Sequence, residues 1–112
     1  MTRLTTTAWR TTVLALALAL ATTGAAHASE ALADQKLCLN CHKVDKQQVG
    51  PAFKDVAARY AGQKDAAIQL AERIQKGSVP KKGNWGAVPM PANPQVSPAE
   101  AQQLANWVLG LK

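Results

Sequence analysis

Residues 38–42 read Cys-Leu-Asn-Cys-His, with the spacing C-x-x-C-H, and the rest of the fold is expected to form around them. Two thiols three positions apart can each add to a vinyl group of haem and form two thioether bonds. The imidazole that follows is then held beneath the iron, where it can bind as an axial ligand. The pentapeptide therefore predicts one covalently attached haem c, with Cys38 and Cys41 as anchors and His42 as a metal ligand.

The first 28 residues have the three parts of a secretory signal peptide. Arg3 and Arg10 give a positive start, residues 13–21 are apolar, and Ala26-His27-Ala28 has the small-x-small cleavage pattern. The alternative is a transmembrane anchor, which normally needs about 20 apolar residues. We therefore predict that residues 1–28 are removed on export to the periplasm, that residues 29–112 form one domain, and that no segment stays in a membrane.

Removal of that segment leaves a single histidine, a single methionine and two cysteines, which limits the possible metal sites. A structural zinc site needs four cysteine or histidine ligands, more than remain. A disulfide within the pentapeptide would close almost no loop and would stabilise little. A thioredoxin-like redox pair would need a βαβ context, and the sequence contains no convincing strand. These exclusions favour haem, with His42 and Met90 as the available nitrogen and sulfur ligands.

Met90 lies between Pro89 and Pro91 in the stretch from 77 to 96, which is rich in proline and glycine and is predicted to be irregular. The flanking prolines restrict the backbone on both sides, so the loop can present a thioether at a fixed point. An isolated methionine more often fills a core. Here the elimination of other ligands and the Pro-Met-Pro setting favour iron ligation by Met90.

The spacing of apolar residues predicts a small all-α domain with about four short helices. The expected helices run over 30–39 and 54–60, from a cap at Asp65 to Lys76 before Gly77, and from a cap at Ser97 to the C-terminal stripe of apolar residues. The 84 residues from Ser29 onward are few for a stable core. A covalent haem would supply the apolar surface against which such helices pack.

Taken together, these motifs resemble the short bacterial class I cytochromes c. The resemblance extends over residues 29–112 and rests on the haem pentapeptide and on five further segments, namely 49–57, 71–74, 85–86, 89–91 and 105–108. It implies the small cytochrome c fold around one covalent haem. It also implies a monomeric periplasmic one-electron carrier, not an enzyme, that donates to a terminal reductase or oxidase.

The resemblance also implies roles for four residues near the haem. The carbonyl of Pro51 would accept a hydrogen bond from His42, Arg73 and Trp85 would bind the haem propionates, and Asn93 would donate a hydrogen bond to the Met90 sulfur. Packing alone could account for Trp85, and solvation alone for Arg73. Residues 79–84 form a longer segment than the family pattern leads us to expect.

The charge of the chain bears on its partners. Without Arg3 and Arg10, eleven basic side chains face seven acidic ones, a net charge of +4 before the propionates are counted. The basic residues include several in the loops on the predicted haem side, namely Lys43, Lys46, Lys54, Lys81 and Lys82. They could steer the protein toward an acidic face of a redox partner, or they could serve solubility alone.

Other functions are less favoured by the sequence. Nucleic-acid binding is not expected of an exported chain that lacks a recognition motif. A haem c enzyme or gas sensor with an open sixth coordination position would require that Met90 not bind the iron. A domain without haem and with a Cys38–Cys41 disulfide is the remaining alternative.

Overall fold

The computed structural model describes residues 23–78 and 85–112, which form helices and loops without a strand. In chain order the elements are α1 (Thr23–Gln35), a 3₁₀ turn (Cys38–Asn40), α2 (Phe53–Tyr60), α3 (Ala66–Lys76) and α4 (Pro98–Leu109). This confirms the predicted all-α class. None of these helices is long and apolar enough to cross a membrane. The segment 79–84, expected to be longer than in the family, lies outside the described residues.

The first helix differs from its prediction at both ends. Its start at Thr23 lies before the predicted Glu30, because the alanines at 25, 26 and 28 favour helix. It ends at Gln35 instead of continuing to Leu39, because Leu37 has a left-handed backbone with φ of 67°. The chain then enters the 3₁₀ turn that contains Cys38. The predicted cleavage after Ala28 would therefore fall inside α1, and it stays a prediction.

The other three helices agree with their predictions. α2 begins one residue early, at Phe53, and α3 ends before Gly77, whose φ is 77°. Asp65 occupies the N-cap position of α3, as predicted, although its side chain makes no capping hydrogen bond. At α4, the Ser97 hydroxyl accepts from the Glu100 N–H at 3.2 Å and the Glu100 carboxylate accepts from the Ser97 N–H at 3.1 Å. This is the predicted capping box.

The core is built on α4, which packs against α1, α2 and α3. Leu104 and Val108 of its predicted apolar stripe are buried, whereas Trp107 and Leu111 are only partly buried. Much of the buried core is alanine, and no large side chain of the described part is completely buried. The helices therefore enclose their larger side chains incompletely and leave a cavity between them.

Candidate functional site

One cavity opens between α2, α3, α4 and the loop that carries Met90. It encloses about 940 Å³, counted with the part open to solvent, and its walls are mainly apolar. Six of the predicted site residues line it, namely Cys41, His42, Pro51, Arg73, Trp85 and Met90. Cys38 and Asn93 are not among the lining residues. The structure therefore brings together most of the residues that the sequence singled out from distant segments.

The His42 ring is fixed by contacts on several sides. Its Nδ1 lies 2.8 Å from the Pro51 carbonyl oxygen. Because a carbonyl can only accept, Nδ1 carries a proton, and in the neutral ring Nε2 then has a lone pair for a metal. Phe53 stacks on the ring with centroids 4.9 Å apart, and Phe53 in turn contacts Trp107 edge to face at 5.4 Å. Gly50 passes so close that a Cβ there would lie 2.5 Å from the ring.

Backbone hydrogen bonds hold the pentapeptide in a tight turn. The Cys38 carbonyl accepts from the N–H of Cys41 at 3.2 Å and from that of His42 at 2.9 Å, and the Cys41 carbonyl accepts from the Gly50 N–H at 2.8 Å. Both cysteines are free thiols and partly buried. Burial raises the pKa of the Cys38 thiol above its usual value. Cys41 lines the cavity, whereas Cys38 packs against the core clusters.

The Met90 side chain is partly buried and lines the same cavity as His42. Its loop lies directly against the end of α3. A Cβ at Gly77 would lie 2.5 Å from the Met90 carbonyl oxygen and 2.8 Å from the backbone nitrogen of Ala92. Gly77 therefore serves the site as well as ending the helix, a second role that the sequence analysis did not predict.

Trp85 and Arg73 both line the cavity. This placement agrees with the predicted role of the two side chains in binding the haem propionates. Trp85 also has a partner that the sequence analysis missed. The guanidinium carbon of Arg59 lies 3.5 Å from the centroid of the indole ring, a cation–π contact. Charged residues on helix faces are usually only solvated, so the sequence carried no signal for this contact.

Asn93 is held by the loop backbone in this structure. Its amide nitrogen donates to the Ile74 carbonyl at 2.8 Å and to the Pro91 carbonyl at 3.3 Å, and its amide oxygen accepts from Gln95 at 3.1 Å. The donor that was predicted for the Met90 sulfur is thus directed to main-chain oxygens. Asn93 fixes the Met90 loop to α3 in this arrangement.

These features fit haem c. The walls of the cavity are mainly apolar, as a macrocycle requires. A histidine with a free Nε2 and a methionine lie on its walls, a cysteine adjoins the histidine, and Arg73 and Trp85 could meet the propionates.

Comparisons with known proteins point in the same direction. The cytochrome c family model matches residues 26–112. Cytochrome c-552 of Nitrosomonas europaea is 49% identical over 106 residues, which cover 95% of this chain and 98% of that protein. Cytochrome c-552 of Hydrogenobacter thermophilus is 51% identical over 89 residues, 80% of this chain and 87% of that protein. The crystal structure of the wild-type Nitrosomonas protein superimposes with a TM-score of 0.70 at 49% identity and covers 74% of this chain and 99% of its own.

Proposed function

The chain belongs to the cytochrome c family, and from this membership we propose that it works in the periplasm, passing single electrons to a terminal reductase or oxidase. It is a small electron carrier with one covalently bound haem c. When bound, that group supplies one iron that alternates between Fe(II) and Fe(III). The arrangement of His42 and Met90 on one apolar cavity is the observation that best supports the proposal.

Four residues would hold the haem. Cys38 and Cys41 would form the thioether bonds, and His42 and Met90 would occupy the two axial positions. Donation of the Nδ1–H to Pro51 holds the imidazole in one tautomer and raises the basicity of Nε2. A thioether ligand from Met90 would favour Fe(II) and so raise the reduction potential.

Protein ligands at both axial positions would leave no vacant position for a substrate. On that basis we propose that the chain has no enzymatic activity of its own. The relatives do not favour an enzyme or gas sensor with an open sixth position, because they carry the names of cytochromes c-551 and c-552. Three side chains would pair with or orient the haem propionates: Arg73, Trp85 and Arg59.

Export to the periplasm rests on the features of residues 1–28. One finding adds support: the relative's sequence matches 95% of this chain, whereas the solved chain of that relative matches 74%. The smaller share is close to the three quarters of the chain that would remain after cleavage behind Ala28. Mass spectrometry of protein secreted to the periplasm would locate the cleavage site.

We further propose that the protein docks its redox partner through a basic rim, which consists of the lysines predicted on the haem side: Lys43, Lys46, Lys54, Lys81 and Lys82. Lys46 is exposed, the ammonium of Lys43 donates to the Leu39 carbonyl at 2.9 Å, and Lys54 pairs with Asp45 at 2.6 Å. Asp45 partly compensates the charge of Lys54, so the net positive charge of the rim is lower than the sequence alone suggests. Lys81 and Lys82 lie outside the described residues.

A pair of small reagents tests this rim without knowledge of the natural partner. Attraction to a basic rim makes oxidation by an anionic complex slow down as salt is added, whereas oxidation by a cationic complex speeds up. Stopped-flow rates with ferricyanide and with a tris-phenanthroline cobalt(III) complex would measure both trends. Equal salt dependence for the two reagents would argue against a basic docking face.

The carrier function is tested by spectra of the periplasmic holoprotein before and after carbon monoxide. We expect a low-spin c-type spectrum, a sulfur-to-iron charge-transfer band in the oxidised form, and no change of the reduced form with carbon monoxide. Met90→Ala serves as the control, because its vacant position should bind the gas at once. Prompt binding by the wild-type protein would contradict the proposed function and favour an enzyme or sensor.

A further inference from the structure

The Met90 loop is fastened to the C-terminal end of α3 by several hydrogen bonds. The Asn93 N–H donates to the Gln75 carbonyl at 3.1 Å, and the Gln75 side chain donates to the Val96 carbonyl at 3.2 Å. With the Asn93 amide on Ile74, these bonds hold the part of the loop that follows Met90. They do not reach Met90 itself.

Among the residues that the structure describes, Ser78 alone forms hydrogen bonds to the backbone of Met90 from this side. Its N–H donates to the Met90 carbonyl at 2.9 Å, and its hydroxyl oxygen accepts from the Met90 N–H at 2.7 Å. One residue therefore binds both polar backbone groups of Met90. Ser78 is partly buried and lines the same cavity as Met90.

The sequence of the loop makes this contact difficult to replace. Pro89 and Pro91 have no N–H, so Met90 carries the sole backbone donor of the Pro-Met-Pro segment. The Ser78 hydroxyl accepts that one donor. Without the hydroxyl, the prolines still restrict the local backbone angles, but the segment loses its side-chain attachment to the body of the protein.

We propose that Ser78 is a positioning residue that keeps the Met90 sulfur on the iron. The inference rests on the proposed function, in which Met90 is an axial ligand. A neutral thioether is displaced by a stronger nitrogen ligand when the loop moves away. By holding the Met90 backbone at two points, Ser78 lowers the fraction of molecules in which the sulfur has left the iron.

The test measures how easily imidazole displaces the sulfur in the oxidised holoprotein. Titration followed at the charge-transfer band gives the affinity, and stopped-flow mixing gives the limiting rate of sulfur release. For Ser78→Ala we expect both to rise by about three- to tenfold, the range that corresponds to one lost hydrogen bond. Ser78→Thr keeps a hydroxyl acceptor, and we expect it to stay within about twofold of the wild type.

Ser97→Ala is the matched control. It also removes one hydroxyl oxygen that accepts from a backbone N–H, but at the start of α4. We expect it to lower the melting temperature through loss of the cap and to leave imidazole binding unchanged. Equal effects of the two alanine variants, or no effect of Ser78→Ala, would overturn the role of Ser78.

The wild-type spectrum separates this proposal from the one on which it rests. A charge-transfer band in the wild type together with normal imidazole binding by Ser78→Ala would overturn the role of Ser78 alone. A wild type without the band would show that Met90 is not a ligand, and both proposals would then fail.

Discussion

At the scale of single residues, each proposed axial ligand lies against a glycine. Any other residue at either glycine would displace atoms of the ligand residue or of its loop. A Cβ at Gly50 would meet three atoms of the His42 ring, the farthest at 3.0 Å. A Cβ at Gly77 would meet backbone atoms of Met90, Pro91 and Ala92 within 2.8 Å. Backbone yields less readily than a flexible side chain, so the Met90 loop is located by direct contact as well as by hydrogen bonds.

Substitution of Gly77 by alanine should disturb both stability and the proposed Met90 ligation. The backbone there has φ of 77° and ψ of −177°, a combination nearly restricted to glycine, and the added methyl would displace the Met90 carbonyl. We expect a loss of about 2–4 kcal/mol in unfolding free energy from these two effects together. The sulfur-to-iron charge-transfer band should weaken as well, and absorbance spectra with thermal melts would measure both.

Gly62→Ala is the control for this variant. Gly62 has nearly the same φ, 78°, but a Cβ there would meet nothing within 4 Å. We expect it to lower stability by about 1–2 kcal/mol through the left-handed backbone alone and to leave the band unchanged. A full-strength band in Gly77→Ala would show that the close approach does not locate Met90.

At the scale of elements, the end of α1 is fastened to the start of α4 by one compact group of contacts. The Lys36 ammonium lies 2.9 Å from the Glu100 carboxylate and donates to the Gln95 carbonyl at 3.0 Å. The Gln95 side chain donates back to the Lys36 carbonyl at 3.3 Å. Since Glu100 also completes the capping box with Ser97, one carboxylate serves both the helix cap and the junction between helices. The junction immediately precedes the haem pentapeptide.

This junction should make stability depend on pH in the acid range. The hydrogen bond from Lys36, followed by the one from the Ser97 N–H, lowers the pKa of the Glu100 carboxyl in the folded protein. A carboxyl with a lowered pKa contributes stability above its unfolded pKa of about 4.3, and this contribution is lost as the pH falls through the folded value. Glu100→Gln should therefore melt below the wild type at neutral pH, and the difference should shrink below about pH 4.

Thermal melts of the two proteins from neutral to acid pH would measure this difference. Glu72→Gln is the comparison, because Glu72 pairs at 2.7 Å with Lys76 on the same exposed helix face and, within the described part of the chain, joins no second element. We expect it to change the melting temperature less than Glu100→Gln does at neutral pH. A difference between wild type and Glu100→Gln that stays constant across the acid range would contradict the assigned role.

The elements also show what sequence reasoning can and cannot reach. The C-terminal end of α3 and the N-terminal start of α4 were predicted because their signals are local. Gly77 has a positive φ that stops α3, and Ser97 and Glu100 form a reciprocal cap at the start of α4. The end of α1 was missed because leucine has no preference for the left-handed backbone that Leu37 adopts. That backbone leads into the turn in which the Cys38 carbonyl accepts two N–H groups.

The same distinction holds within the candidate site. The pentapeptide and the Pro-Met-Pro segment carry their chemistry in adjacent residues, so the sequence alone could predict haem attachment and two ligands. Ser78 and Arg59 could not be predicted in this way. Their roles depend on Met90 and Trp85, which reach them only in the folded chain.

At the scale of the whole molecule, the protein part of the core is incomplete. Its fully enclosed side chains are small, among them Ala33, Ala101 and Ala105, whereas Tyr60, Trp85 and Trp107 remain partly exposed. The large aromatic rings contribute most to apolar burial only when both faces are covered. Haem in the cavity would cover Tyr60 and Trp85, which line it, so the cofactor should contribute to folding as well as to electron transfer.

Loss of haem attachment should therefore abolish cooperative folding. In haem-free Cys38→Ala/Cys41→Ala the covalent link is gone and the apolar walls of the cavity face water, each buried methylene losing about 0.8 kcal/mol of stabilisation. A domain of this size normally has only about 5–15 kcal/mol to lose. We expect helical circular dichroism to fall and thermal melting to lose its sharp transition.

Met90→Ala keeps the covalent macrocycle and should remain folded, with a loss of about 2–5 kcal/mol in unfolding free energy. A sharp transition in the double variant near that of the holoprotein would show that the helices form their core without the cofactor.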